Sequence, residues 1–497
     1  MKEIVMRTLH LLLFLSFISP AALFPQISFE RTYGGSGHEG GNSVRQTADG
    51  GYIIAGGTSS FGVAGDDVYL IKTNALGDTL WTRTYGGDDS DEGYSVQQTI
   101  DGGYIIAGLT SSYGAGGADV YLIKTDASGY TLWTRTYGGY SYDIGNSVQQ
   151  TADGGFIIAG VTNSFGAGES NVYLIKTDTS GDTLWTKIYG SADDEEGYSV
   201  QQTTDGGYII TGDIFFLSLE TRDVFLFKTD SSGDILWART YGGVNNDWGK
   251  SVQQTVDGGY VIAGTKGFGF GNKDVYLIRT DSSGDTLWTR TYGGSDLSNS
   301  VQQTTDGGYI IAGRTSSFGA GGADVYLIKT DSAGDTLWTR TYGGDAGDAG
   351  HSVQLTTDGG YIITGSTASF GAGRTDVYLI KTDPDGFVGI SDNIPPSYKL
   401  PRSWALSQNY PNPFNPTTTI TFDVPGTQGE AQHVQLTVYN IRGKQVINLI
   451  DSEYEPGSHR VVWNGRNDDG EQVSSGIYLY TLKSEAQTYT KKMVMVK

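Results

Sequence analysis

The chain contains no cysteine. That excludes disulfides, thiol nucleophiles, thiolate-bound zinc and lipid attachment through cysteine, so stability must come from apolar burial and strand ladders. Basic residues number 33 against 55 acidic ones, a net charge of −22. A surface so negative repels phosphate backbones, so no nucleic-acid partner is expected. Calcium, other cations and neutral glycans stay open. Beyond the first 25 residues the sequence has no long stretch of helical apolar spacing and none apolar enough to span a bilayer. Only 18% of residues are charged, whereas glycine reaches 74 and tyrosine 32. That balance, with many Thr, Ile and Val, fits short strands and tight turns.

The N-terminus carries Lys2 and Arg7, a short apolar stretch over 9–18 and the small-residue segment Ser19-Pro20-Ala21. Residues 1–26 are therefore expected to be a signal peptide, leaving a mature chain without a membrane span. Next comes an internal repeat. Asp-Gly-Gly starts at Asp49, Asp101, Asp153, Asp205, Asp257, Asp306 and Asp358, spaced 49 to 52 residues apart. Trp81, Trp133, Trp185, Trp237, Trp288 and Trp338 recur with it. Each copy holds four strand signals bounded by Gly, Asp or Ser: Ser-Val-Gln-Gln-Thr (strand a), Gly-Tyr-Ile-Ile-Ala-Gly (b), Asp-Val-Tyr-Leu-Ile-Lys-Thr (c) and Thr-Leu-Trp-Thr-Arg-Thr-Tyr (d). Short connections make each copy an antiparallel meander. A period near 50 with several strands is propeller-sized.

The ends of the array predict ring closure. The last copy stops after strand c, at Lys381-Thr382, and an orphan over 27–35 matches strand d with Phe29 in the Trp position. That orphan can complete the last blade, whereas an open solenoid would need caps. The expected fold class is all-β: a seven-bladed propeller of four-stranded antiparallel blades over 27–386, then a small β-sandwich. An Ile-rich strand ending in Gly, followed by Tyr69 and Trp81, resembles the kelch order of glycine, tyrosine and tryptophan over residues 27–382. The copies depart from kelch repeats in reading Ala-Gly-x-Thr where kelch has a double glycine. The c–d turn Thr229-Asp230-Ser231-Ser232-Gly233-Asp234 is similar to the Asp box of sialidase propellers, with a longer spacing to Trp237. The kelch resemblance implies that strand a lines the channel.

Alternating strand direction puts the short, uniform a–b and c–d turns on one side and the longer, variable b–c and d–a loops on the other. Variable loops on a rigid scaffold are where recognition usually sits. The b–c loops carry Phe61, Tyr113, Phe165, Phe216, Phe268, Phe318 and Phe370. These rings could stack on sugars, or each could pack on its own blade. Blade four breaks the pattern with Ile214-Phe215-Phe216-Leu217, an apolar patch open to a partner or to local collapse. Acidic runs occur at Asp88, Asp89, Asp91 and Glu92, and at Asp193, Asp194, Glu195 and Glu196. They read either as solvated loops or as calcium ligands, without EF-hand spacing. No cofactor is required, and calcium is the one cofactor the sequence leaves room for. The repeats contain no Gly-x-Ser-x-Gly elbow, no Glu-x-x-His pair and no identifiable catalytic residue. His38 and His351 read as d–a loop residues.

A proline-bearing linker over 387–405 leads to a different pattern. Residues 406–497 hold short alternating strands, as in a small immunoglobulin-like sandwich. Tyr410-Pro411-Asn412-Pro413-Phe414-Asn415-Pro416, Val438-Tyr439-Asn440, Trp463-Asn464-Gly465 and Ser475-Gly476-Ile477-Tyr478 resemble the C-terminal sorting domain of type IX secretion cargo and are similar to FlgD-type Ig-like domains. The resemblance implies export to the outer-membrane surface or beyond, with the type IX machinery as partner. The resulting expectation is a secreted or cell-surface binding module, monomeric, that recognises an extracellular glycan or protein through the variable-loop face. The alternative is an extracellular polysaccharide hydrolase using loop carboxylates.

Overall fold

The computed structural model describes residues 27–268, 272–389, 404–406, 409, 412, 414–425, 431–454, 456–484 and 487–496. The chain divides into two units, Met1–Ile390 and Ser391–Lys497. Strand c explains the first. In Asp67–Thr73 every residue is buried, although the strand carries Asp67 and Lys72 among its apolar residues. A strand buried on both faces must be covered by a sheet on each side. The unit supplies those covers as seven four-stranded antiparallel sheets. In the first, strands a to d are Glu39–Gln46, Tyr52–Thr58, Asp67–Thr73 and Thr79–Tyr85, hydrogen-bonded in that order. Strand a is innermost and strand d, with Leu80 exposed, is the outer edge.

Apolar cores lie between sheets. Ile53, Ala55, Val68 and Leu70 of blade one pack with Tyr104, Ile106, Tyr121 and Ile123 of blade two. The last core joins Ile362, Val377 and Leu379 of blade seven to Val44, Tyr52 and Ile54 of blade one, so the sheets close into a ring. The orphan strand Phe29–Tyr33 pairs antiparallel with Asp376–Thr382, from Phe29 opposite Lys381 to Tyr33 opposite Val377. Phe29 meets Tyr52 at 6.0 Å between ring centroids, as Trp81 meets Tyr104 at 5.9 Å. Tyr33 donates from its hydroxyl to Gly77 O at 2.5 Å across the closure, the same clasp that Tyr85 makes to Gly129 at 2.7 Å.

The Asp-Gly-Gly turn does more than reverse the chain. Asp49 accepts from Thr47 Oγ1 at 2.5 Å and from Gly51 N at 3.0 Å. It also pairs with Lys72 of strand c at 2.9 Å, and the same ion pair recurs in all seven blades, with Arg279 replacing lysine once. Gly50 has φ +82°, and a Cβ on Gly51 would lie 2.1 Å from Thr73 O. The first glycine is therefore set by conformation and the second by space.

The second unit holds a three-stranded sheet (Ala405–Leu406, Thr418–Val424, Gly457–Trp463) and a four-stranded sheet ordered Gln445–Tyr454, Gln432–Asn440, Gly476–Lys483, Thr488–Met495. Ile420, Phe422 and Trp463 of one pack with Val434, Leu436, Tyr480 and Met493 of the other, making a sandwich. Phe414 is buried against Trp463 at 5.5 Å and exchanges backbone hydrogen bonds with Val494 and Val496. Asn412 accepts from Val494 N at 2.8 Å. Tyr478 donates to Ser474 O at 2.7 Å, and Gly476 opens its strand. The motif therefore ties the chain's last strand into the sandwich core. Tyr410, Pro411 and Pro413 lie outside the described residues.

Candidate functional site

The seven strand a segments surround a central channel whose wall is formed by Ser, Val and Gln side chains and Arg45. Each begins at a variable d–a loop and carries a β-bulge that skips one residue, as between Gly41 and Ser43. The skipped residue is Asn42, Tyr94, Asn146, Tyr198, Lys250, Asn299 or His351. A bulge re-aims its side chain out of the ladder. Asn42, Asn146 and Asn299 donate across to the next blade's carbonyl at Gly93, Gly197 and Gly350. His351 is thus a strand residue rather than a loop residue, its Nδ1 3.1 Å from Gly41 O, and burial lowers its pKa.

Blades four and five break this regularity. The residue after the strand b glycine is Gly57, Leu109, Val161, Thr265, Arg314 or Ser366 elsewhere, but Asp213 in blade four. Asp213 is fully buried and pairs across the ladder with Glu196. Arg222 of strand c bonds Asp213 and lies 3.7 Å from Glu196, while the Tyr198 hydroxyl donates to Glu196. Burial lifts the Asp213 carboxyl to about 6 against the pull of Lys250 and Arg222. Lys250 Nζ sits 3.3 Å from the Tyr198 ring centroid and is held below the usual lysine range by burial. Lys273 Nζ sits 4.3 Å from the Trp248 ring centroid. Among the described residues neither lysine has an ion-pair partner. Two half-buried cations over aromatic rings, on a chain of net charge −22, form a local positive spot beside an acidic one. Such a site can stack a flat ring and hydrogen-bond or ion-pair its substituents. Asp213 is sealed from solvent and held by Arg222, so it has no route to an incoming bond.

The other sequence candidates are placed as follows. Phe61, Tyr113, Phe165, Phe318 and Phe370 each pack on their own blade's strand c tyrosine at 5.6 to 6.0 Å. Phe268 is exposed. Those five rings stand over separate blades. Phe215 and Phe216 lie in strand b, which runs Tyr208–Phe216, so they are not loop residues; Phe215 stacks under Arg222 at 5.2 Å. The ladder lengthens there because two more pairs, Phe215 opposite Arg222 and Phe216 opposite Thr221, continue beyond the seven that blade one forms between strands b and c.

Asp88 and Asp89 are exposed. Asp91 is fully buried at the start of its strand, where it accepts from Gly87 N and Ser112 Oγ. It faces Asp67 across Gly86, whose Cβ would meet the two carboxylates at 2.5 and 2.0 Å. Burial, with Asp91 beside it, raises the Asp67 pKa. Asp193 accepts from Leu217 N, and Asp194 from Glu169 N and Ser170 N, so both acids brace neighbouring b–c loops. Among the described residues no three His, Asp or Glu side chains gather into a metal group. Sequence reasoning missed Tyr198, Asp213, Arg222, Lys250 and Lys273; the available signal was the departure of Asp213, Arg222, Lys250 and Lys273 from the repeat at equivalent positions, whereas Tyr198 repeats Tyr94 of blade two.

Residues 408–497 match the family described as a secretion system C-terminal sorting domain. The regulatory protein FlaEY of Caulobacter vibrioides is 24% identical over 276 residues, which are 46% of this chain and 28% of that protein. Among solved structures, PorZ, a bacterial surface component of the type IX secretion system of Porphyromonas gingivalis, is 12% identical, with 94% of this chain and 60% of that one covered at a TM-score of 0.43. Sqt1 from Chaetomium thermophilum is 11% identical, covering 67% and 83%, at a TM-score of 0.40. No helix among the described residues is long and apolar enough to cross a membrane. The chain is a ring of repeated four-stranded blades carrying a type IX secretion sorting domain, which directs it to the cell surface or the extracellular space.

Proposed function

We propose that the propeller is a non-catalytic binding module that recognises an extracellular glycan or protein through its variable-loop face, centred on blades four and five. The supporting observation is the cluster of Tyr198, Asp213, Arg222, Trp248, Lys250 and Lys273, the largest chemical departure from the repeat on that face. Repetition alone serves the scaffold; a site for one ligand needs a place where the repeat is broken. Residues 1–26 act as the export signal, 387–405 as a linker, and 406–497 as an Ig-like, FlgD-type sorting domain read by the type IX machinery. The exported protein acts as a monomer and requires no metal.

The test is binding of the purified exported chain to a glycan array and to envelope-protein pull-downs, with Lys250→Met and Trp248→Ala compared with wild type. A retained ligand that each variant weakens at least tenfold supports the reading. A ligand bound equally by both variants, or turnover of a polysaccharide lost on changing one Asp or Glu, overturns it.

A further inference from the structure

The Gln-Gln pair of strand a has two jobs. The second glutamine braces the Asp-Gly-Gly turn: Gln150 Nε2 donates to Gly154 O at 3.1 Å. The first faces the channel. Gln97 Oε1 accepts the backbone N–H of Gln150 in the next blade at 2.7 Å, and Gln149, Gln201, Gln253, Gln302 and Gln354 do the same to their neighbours at 2.6 Å. A backbone N–H can only donate, so each amide oxygen is pinned outward and its NH2 group is left over. No protein acceptor receives those six NH2 groups among the described residues. In the seventh place the repeat substitutes Arg45. Its Nη1 donates to Val44 O at 3.0 Å. The lining of this channel, about 240 Å3, consists of Arg, Gln, Ser and Val and includes no carboxylate.

A ring of surplus donors around one cation without a counter-charge is the complement of an anion. We infer that the central channel binds a small oxyanion, a carboxylate or phosphate group, gripped by the Arg45 guanidinium and the glutamine amides. The volume admits an anion of citrate size and excludes a polymer, so this site is separate from the variable-loop face. Burial lowers the Arg45 pKa, which is consistent with a guanidinium short of compensation. Arginine suits the task because its planar fork meets two oxygens at once.

The test uses the full exported chain and its Arg45→Gln variant, which restores the residue that the other six blades carry and therefore should fold. Citrate and inorganic phosphate are titrated calorimetrically at constant ionic strength set with sodium chloride, with Arg442→Gln, an exposed cation of the other unit, as the charge control. The expected result is saturable binding of citrate, phosphate or both by wild type and Arg442→Gln, weakened at least tenfold in Arg45→Gln. Citrate binding alone identifies the carboxylate, phosphate binding alone the phosphate. A folded Arg45→Gln that binds as wild type does, or no saturable binding of either anion by wild type, overturns the inference.

Discussion

Replacing Phe29 by alanine should open the ring at its seam. Phe29 is 1% exposed and fills, in the orphan strand, the place that tryptophan holds in six blades. Its ring lies edge-on to Tyr52 and directly over Gly77, whose Cβ would come within 2.5 Å of it. The floor of the resulting cavity is therefore backbone, which cannot move in to refill it. Truncating a buried Phe to Ala costs about 3–5 kcal/mol, and the poor prospect of collapse places this site in the upper half of that range. The loss falls on five residue pairs that hold the ring shut. Guanidinium unfolding of the exported chain, followed by near-ultraviolet circular dichroism, measures it. Phe29→Trp should be tolerated, because equivalent glycines such as Gly129 already lie under a tryptophan. Leu80→Ala, at a side chain 55% exposed, is the control. If Phe29→Ala costs less than about 1 kcal/mol, or no more than Leu80→Ala, the orphan strand is not what closes the ring.

Lys124→Met should cost about 1–3 kcal/mol, because the buried ammonium gives up Asp101 and Thr125 O while the exposed Asp101 regains water; Arg279→Lys should be near neutral, as lysine serves in the other six blades, and both are read by denaturant unfolding. Stability should pass through a maximum in acid. Burial raises the pKa of Asp67, Asp119, Asp324 and Asp376, and places Asp213 at about 6, so these groups cost stability when ionised and the cost is relieved as pH falls through their raised values. The turn aspartates oppose this: burial alone would raise Asp205, but bonds from Lys228, Thr203 and Gly207 hold it at about 2, so its contribution is complete above 3.8 and is lost as pH drops from there through 2. Buried His351 opposes the rise, because its lowered pKa makes acidification below 6.5 cost stability. In a His351→Gln background melting temperature should therefore rise from pH 7 to about 5 and fall below about 4, and a steady decline from pH 7 in that background would refute this assignment. Deleting 406–497 should leave the propeller in the periplasm, and fractionation that still finds it on the surface would refute the sorting role.

Much of the architecture was legible because each repeat writes its own blade. Strand c and strand d are bounded by turn residues, and the missing last strand d together with the spare one at 27–35 predicts the seam. The candidate site was less legible. Asp91 read as a loop acid because the groups that hold it, Gly87 N and Ser112 Oγ, come from two different loops that meet only in the fold. Phe215 and Phe216 read as loop residues because their own run is apolar without turn signals, and only the facing Thr221 and Arg222 extend the ladder.

By itself, the sequence determined the strand order, the number of repeats, the closure by a displaced strand and the sorting tail, since all of these are encoded within one period or at its ends. Tertiary structure alone decided which polar groups meet. Lys72 reaches Asp49, Gln97 reaches Gln150, Tyr33 reaches Gly77, and Lys250 settles over Tyr198. Those partners lie on different strands or different blades, and a repeat pattern specifies a residue's place within its blade without specifying the neighbour that ring closure brings against it.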